Sequence, residues 1–179
     1  ADAIQGRPAS FVTIDCESGI PSDVMNDFTL AIEDNRQFFY TLEGSSLYTL
    51  YGYEKIVQRF DLDSRNLVAS SDLKDCLSQA IPDLGLTVMQ YPVAFNKELY
   101  VLCSAIHGNP DLSFQGLIIL DLESLVIQNI LPLEYVTTSV LLPPFYFFNE
   151  YPDFVYFRYY NLLLKYDLTT GKVVKHVSL

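Results

Sequence analysis

The sequence predicts an all-β fold, an antiparallel, β-propeller-like arrangement of about three and a half to four blades, each a meander of four short strands. Three observations point there. A short segment recurs four times, as TIDCESGIP (13–21), RFDLDSRNLV (59–68), ILDLESLVI (119–127) and KYDLTTGKVV (165–174). Asp15, Asp61, Asp121 and Asp167 mark the same point in each copy, at separations of 46, 60 and 46 residues. Runs of aromatic and β-branched residues, which favour strands, precede the copies, and helical periodicity persists in one short stretch alone.

Each copy reads as a β-hairpin. An apolar strand ends at the Asp, whose short carboxylate accepts hydrogen bonds from backbone N–H groups two residues on. The Ser/Thr and Gly or Asn positions tolerate the turn, and an apolar strand returns. In the last copy Gly171 supplies the positive φ that a tight hairpin needs. These aspartates are therefore expected to build turns rather than to catalyse or bind metal.

The chain divides, as a single β domain, into a partial blade at 1–26 and blades at 27–73, 74–133 and 134–179. The first copy begins at Thr13, which leaves no room upstream for a full blade. In the next unit, DFTLAIEDNRQFFYTLEG (27–44) offers a first strand, and SLYTLYGYEKIVQRFDL (46–62) reads as strand, connection and strand into the Asp turn. SSDLKDCLSQAIPDLG (70–85) reads as a connecting helix: Ser71 or Asp72 can cap it, and Leu73, Leu77 and Ala80 share a face. Pro82 and Gly85 end it, and Cys76, Leu77 and Ile81 are expected to pack it on a sheet.

LTVMQYPVAF (86–95) and ELYVLCSAIHGNPDLSFQGLIILDL (98–122) repeat the pattern, with an insertion at 105–116 that lengthens one connection and explains the 60-residue separation. Rich in Gly, Asn and Pro and longer than a hairpin requires, the insertion makes His107, Asn109 and Asp111 candidate binding residues. YVTTSVLLPPFYFF (135–148) and DFVYFRYYNLLLKYDL (153–168) build the last unit. There, alternation places Phe154, Tyr156, Arg158 and Tyr160 on one face, with Val155, Phe157 and Tyr159 on the other. With both faces aromatic, the run suits a strand buried between two blades. A surface of Tyr151, Tyr156, Arg158 and Tyr160 also suits a partner, because Tyr and Arg are enriched at interfaces.

Composition excludes several classes. A formal net charge of −11, from 22 acidic and 11 basic residues, disfavours a sequence-independent grip on nucleic acid or anionic membrane. No apolar run approaches the roughly 20 residues that span a bilayer, and Pro143–Pro144 breaks the richest, so a soluble protein without membrane insertion is expected. Three cysteines without CxxC spacing and two histidines argue against a zinc site, and Cys16, Cys76 and Cys103 are expected to be inert thiols, with one disulfide as the alternative. No nucleophile elbow, phosphate-binding loop or dinucleotide fingerprint is present. An extracellular location is slightly favoured over a cytoplasmic one.

LLLKYDLTTGKVVKHVSL (162–179), with RFDLDSRNLV and LIILDLESL (117–125), resembles the quinoprotein-like and YVTN β-propeller repeats. Their typical unit runs Leu-Tyr-x-Leu, a gap, an apolar run, Asp-Leu and Thr-Gly-Lys-Val. The resemblance implies blades stacked about an axis, as a four-bladed ring or as part of a larger propeller, and the alternative is a different β-rich fold built from the same hairpins. The sequence holds no Trp, the residue that commonly docks quinoprotein blades; 12 Phe and 13 Tyr must fill that volume. No quinone is inherited, and no cofactor or metal is expected. The function expected is that of a non-catalytic module binding a protein or glycan. The alternatives are part of a propeller hydrolase or oxidoreductase, and the substrate-binding domain of an F-box-type adaptor.

Overall fold

The computed structural model describes residues 9–14, 21–28, 38–79, 81, 87–105, 114–133, 145–159 and 162–178. A two-stranded antiparallel sheet of β1 (Ala9–Ile14) and β2 (Pro21–Phe28) comes first. Three four-stranded sheets follow. One holds β3 (Phe38–Glu43), β4 (Ser46–Tyr51), β5 (Ile56–Asp61) and β6 (Leu67–Asp72) in sequence order. The next holds β7 (Val88–Phe95), β8 (Glu98–Ala105), β9 (Phe114–Asp121) and β10 (Ile127–Pro132). The last holds β11 (Phe145–Tyr146), β12 (Phe154–Tyr159), β13 (Leu162–Asp167) and β14 (Val173–Ser178). Every pairing is antiparallel, so each sheet is a plain meander. Among the described residues β11 has only two, Phe145 and Tyr146.

At Asp61, Asp121 and Asp167 the sequence repeat is a repeat of hydrogen bonds, and the fourth copy's Asp15 lies outside the described residues. Asp61, Asp121 and Asp167 each close a five-residue loop, their N–H groups donating to the carbonyls of Asn66, Val126 and Lys172 at 2.9, 2.9 and 3.0 Å. Oδ1 of each accepts a backbone N–H three residues on, from Ser64 (2.7 Å), Ser124 (2.8 Å) and Thr170 (2.9 Å). The next residue, Leu62, Leu122 or Leu168, donates its N–H to the first hairpin of its own sheet, at Ser45, Lys97 or Asp153. Both hairpins of a sheet are thereby locked at one rim. The loop is wider than the expected tight hairpin, because the residue four past each Asp turns left-handed, with φ of 60° at Arg65, 57° at Leu125 and 68° at Gly171. A register shift beside each Asp then restores the ladder.

The sheets stack through two apolar seams. Tyr48, Leu50 and Val57 of the first full sheet meet Leu99, Val101, Cys103, Ile118 and Leu120 of the second. The opposite face of the second sheet, Tyr100, Leu102, Leu117 and Ile119, meets Val155, Phe157, Leu164 and Tyr166 of the third. Covered on both sides, β8 and β9 are buried almost throughout.

The connecting helix forms but is short: α1 (Lys74–Ser78) starts after Leu73, which has no side-chain cap, while Ser71 and Asp72 belong to β6. Asp72 still accepts the Lys74 N–H at 3.0 Å. Leu73, Leu77 and Ile81 lie in the first seam. Cys76 does not pack as expected; it is exposed, because i, i+4, i+8 spacing carries the buried stripe past it. Cys103 is buried, and Cys16 lies outside the described residues.

Candidate functional site

The equivalence of the three sheets defines the site. Ladder register aligns Tyr48, Tyr100 and Tyr156, because each lies two residues after the one opposite the turn Asp (Ser46, Glu98 and Phe154). Two residues further on stand Leu50, Leu102 and Arg158. On the facing strand, two residues before the Asp, stand Arg59, Ile119 and Lys165, and their partners across the outer hairpin are Ala69, Asn129 and Lys175. In the first two sheets this face is an inter-sheet seam: Tyr48, Leu50, Tyr100 and Leu102 are between 0% and 4% exposed. In the third, Arg158 is exposed and Tyr156 half-buried.

Among the described residues, a neighbouring sheet covers β12 on one face only, which corrects the expectation of a strand buried on both. Val155 and Phe157 enter the second seam, and the alternate residues Phe154, Tyr156 and Arg158 stand on the far face. Tyr151 is also exposed. The Lys165 ammonium lies over the Phe154 ring, 3.6 Å from its centroid, with the Tyr151 and Tyr156 rings at 5.5 and 5.8 Å. Such cation–π contacts draw the ammonium onto the ring faces. Phe148 packs edge-on against Tyr156 at 5.0 Å. A groove of about 230 Å³ runs between Tyr156, Leu163, Lys165, Lys175 and Val177.

Of the sequence-predicted residues, Tyr151, Tyr156 and Arg158 fall on this sheet. His107, Asn109, Asp111 and Tyr160 lie outside the described residues. Lys165 and Lys175 were not anticipated. The signal was available in the registered copies, where lysine replaces Ile119 and Asn129.

A second concavity, of about 440 Å³, opens between the second and third sheets near the turn rim, where Asn96, Glu98, Asn129, Asp153 and Thr169 surround the Tyr100 hydroxyl. That hydroxyl donates a short hydrogen bond, 2.5 Å, to Glu98 Oε2. Burial, and then the Glu98 carboxylate, push the Tyr100 phenol well above its ordinary range. Burial pushes the Cys103 thiol up to about 12, which disfavours the thiolate at neutral pH. No three His, Cys, Asp or Glu side chains among the described residues are placed to hold a metal ion. No helix among them is long and apolar enough to cross a membrane.

No protein-family model matches the chain, and no curated protein matches it. Solved structures do. The chain is similar to a europium-containing methanol dehydrogenase, with 8% identity and a TM-score of 0.52 over 78% of this chain and 31% of that one. It is similar to the complex of KlAtg21 with the coiled coil of AgAtg16, with 6% identity and a TM-score of 0.52 over 95% and 48%. BamB from Moraxella catarrhalis matches with 13% identity and a TM-score of 0.47 over 97% and 48%. The chain has a propeller-type repeat fold. It spans between 31% and 48% of the length of these structures, and at such identities the likeness shows the fold alone.

Proposed function

We propose that the chain is a non-catalytic binding module that presents the far face of its last sheet to a protein or glycan partner. One observation carries the reading: Arg158 stands where Leu50 and Leu102 are buried in the other two sheets. A face meant to be sealed like the first two would place an apolar residue there, since an unpaired guanidinium is costly to bury. Exposed Tyr151 and half-buried Tyr156 beside it give the amphipathic, rigid surface on which partners are commonly anchored. His107, Asn109, Asp111 and Tyr160 remain candidate binding residues on sequence grounds, and the partial blade at 1–26, the blades at 27–73, 74–133 and 134–179 and the finer likeness to quinoprotein-like and YVTN repeats belong to the same reading.

The test is the double variant Tyr151→Ala/Arg158→Ala, assayed for folding and then against a panel of proteins and glycans. Loss of a partner that the parent chain captures, with the fold retained, is the expected result. Equal capture by a folded variant would remove the site from this face. The cleft at Tyr100 supports a second reading, a small polyhydroxylated or cationic ligand held by Glu98, Asp153 and two amides. Glu98→Gln would weaken that ligand and leave capture at the far face unchanged.

A further inference from the structure

The face at Tyr156 is an inter-sheet face by descent of pattern, but it is charged where the others are apolar. Arg158, Lys165 and Lys175 bring three cations to one face of a chain with twice as many acidic as basic residues. Among the described residues, no carboxylate pairs with any of the three. The nearby Asp167 accepts at Oδ1 from Thr169 and Thr170.

The molecule shows what covers such a position when it is sealed. Arg59 occupies the place of Lys165 in the first full sheet, and the second sheet lies over that face. The second sheet brings its turn Asp121 near Arg59. After the hydrogen bonds from Ser124 and Glu123, the Arg59 charge also helps to hold that carboxyl below its ordinary range. The Arg59 charge acts in the same way on Asp61 of its own sheet, so a cation at this point of the repeat stands in the field of carboxylates from its own sheet and from the covering one.

We propose that the far face of the last sheet docks a carboxylate-bearing polypeptide segment of a partner protein. Its Asp or Glu side chains pair with Arg158, Lys165 and Lys175, and its apolar side chains cover Tyr156, Leu163 and Val177. The inference rests on the binding-module reading and adds the chemistry of the partner. Lys165 is partly desolvated beneath three aromatic rings, so a carboxylate reaching it meets a stronger field than one at a fully solvated lysine. A second copy docked face to face would set like charges against each other. An anionic membrane would have to approach a chain of net charge −11.

The test uses labelled twelve-residue peptides alternating Asp with Val, Asn with Val, or Lys with Val, titrated against the intact chain by fluorescence anisotropy. The expected result is binding of the Asp peptide alone, weakening as salt rises and falling by at least about tenfold in Lys165→Glu/Lys175→Glu. Because Lys165 packs under aromatic rings, Lys175→Glu alone, at an exposed position, serves as the variant certain to preserve the sheet. Equal binding of the Asn peptide would refute the carboxylate chemistry while leaving the docking reading standing. Binding of no peptide would refute both at this face. A concentration-dependent dimer in sedimentation that Lys175→Glu abolishes, or binding to phosphatidylserine vesicles in place of the peptide, would replace the occupant and overturn the proposal.

Discussion

Gly171 occupies the left-handed position of its turn, and a Cβ there would stand 2.1 Å from the Pro132 carbonyl oxygen of the neighbouring sheet. Gly171→Ala therefore combines strain with a backbone clash and is expected to cost about 2–4 kcal/mol in urea unfolding. Arg65 holds the same left-handed conformation at an exposed position. Relieving left-handed strain of about 1–2 kcal/mol outweighs the roughly 0.4–1 kcal/mol of extra backbone entropy in a glycine chain, so Arg65→Gly should stabilise slightly. The turn aspartates carry a pH signature. Hydrogen bonds from Ser64, Ser124 and Thr170 lower the carboxyls of Asp61, Asp121 and Asp167 from 3.8. A folded-state value below the unfolded one means that the stabilisation is complete above the unfolded value and is lost as pH falls through the folded one. Asp121→Asn should lower the melting temperature near neutrality and flatten its fall on acidification, followed by circular dichroism from pH 6 to pH 2 as an order-of-magnitude window around the ordinary carboxylate value of about 3.9.

At the scale of single elements, α1 acts as a clasp between the first and second full sheets. Its five residues cannot be stable on their own, since isolated helices shorter than about 12 residues are marginal in water. Leu77, 0% exposed in the seam, is what holds it there. Leu77→Ala should cost about 2–4 kcal/mol, the range for a core leucine whose cavity collapses only partly. Cys76, one position earlier, faces solvent, whereas Cys103 in β8 is buried with its thiol pushed up to about 12. Native labelling with a thiol reagent followed by peptide mapping should mark Cys76 and leave Cys103 unmodified until the chain is unfolded. Labelling of Cys103 at the rate of Cys76 would contradict the buried second sheet.

For the whole molecule, the equivalence of the three sheet faces is directly testable by exchanging residues between them. Leu102→Arg places in a sealed seam the residue that the open face carries, and an unpaired buried charge there should cost more than about 4 kcal/mol. Arg158→Leu makes the reverse change on the open face. Its folding stability should stay close to that of the parent, while the enlarged apolar patch makes the chain associate in sedimentation. If both variants behaved alike, the third sheet would be covered as the first two are.

Much of this architecture was legible in the residues, because its causes are local. Asp at the strand end, Ser or Thr three positions on, and alternation along each strand specify a turn and a half-buried meander within about ten residues, the reach of side-chain-to-backbone hydrogen bonds and of the strand period. The turns at Asp61, Asp121 and Asp167 and the aromatic strands beside them therefore stand where the sequence placed them, and a helix forms within the stretch that carried its periodicity. Tertiary structure decided what alternation cannot express. Alternation states that Phe154, Tyr156 and Arg158 share a face, but not whether another sheet lies over that face. Covering depends on residues distant along the chain, and it alone distinguishes Leu102, sealed in a seam, from Arg158, standing in the open. Lys165 and Lys175 meet only through ladder register, so their common groove with Tyr156 existed on no single stretch of sequence. The close approach of Gly171 to Pro132 has the same origin, since a glycine's turn geometry is local but the backbone packed against it belongs to another sheet.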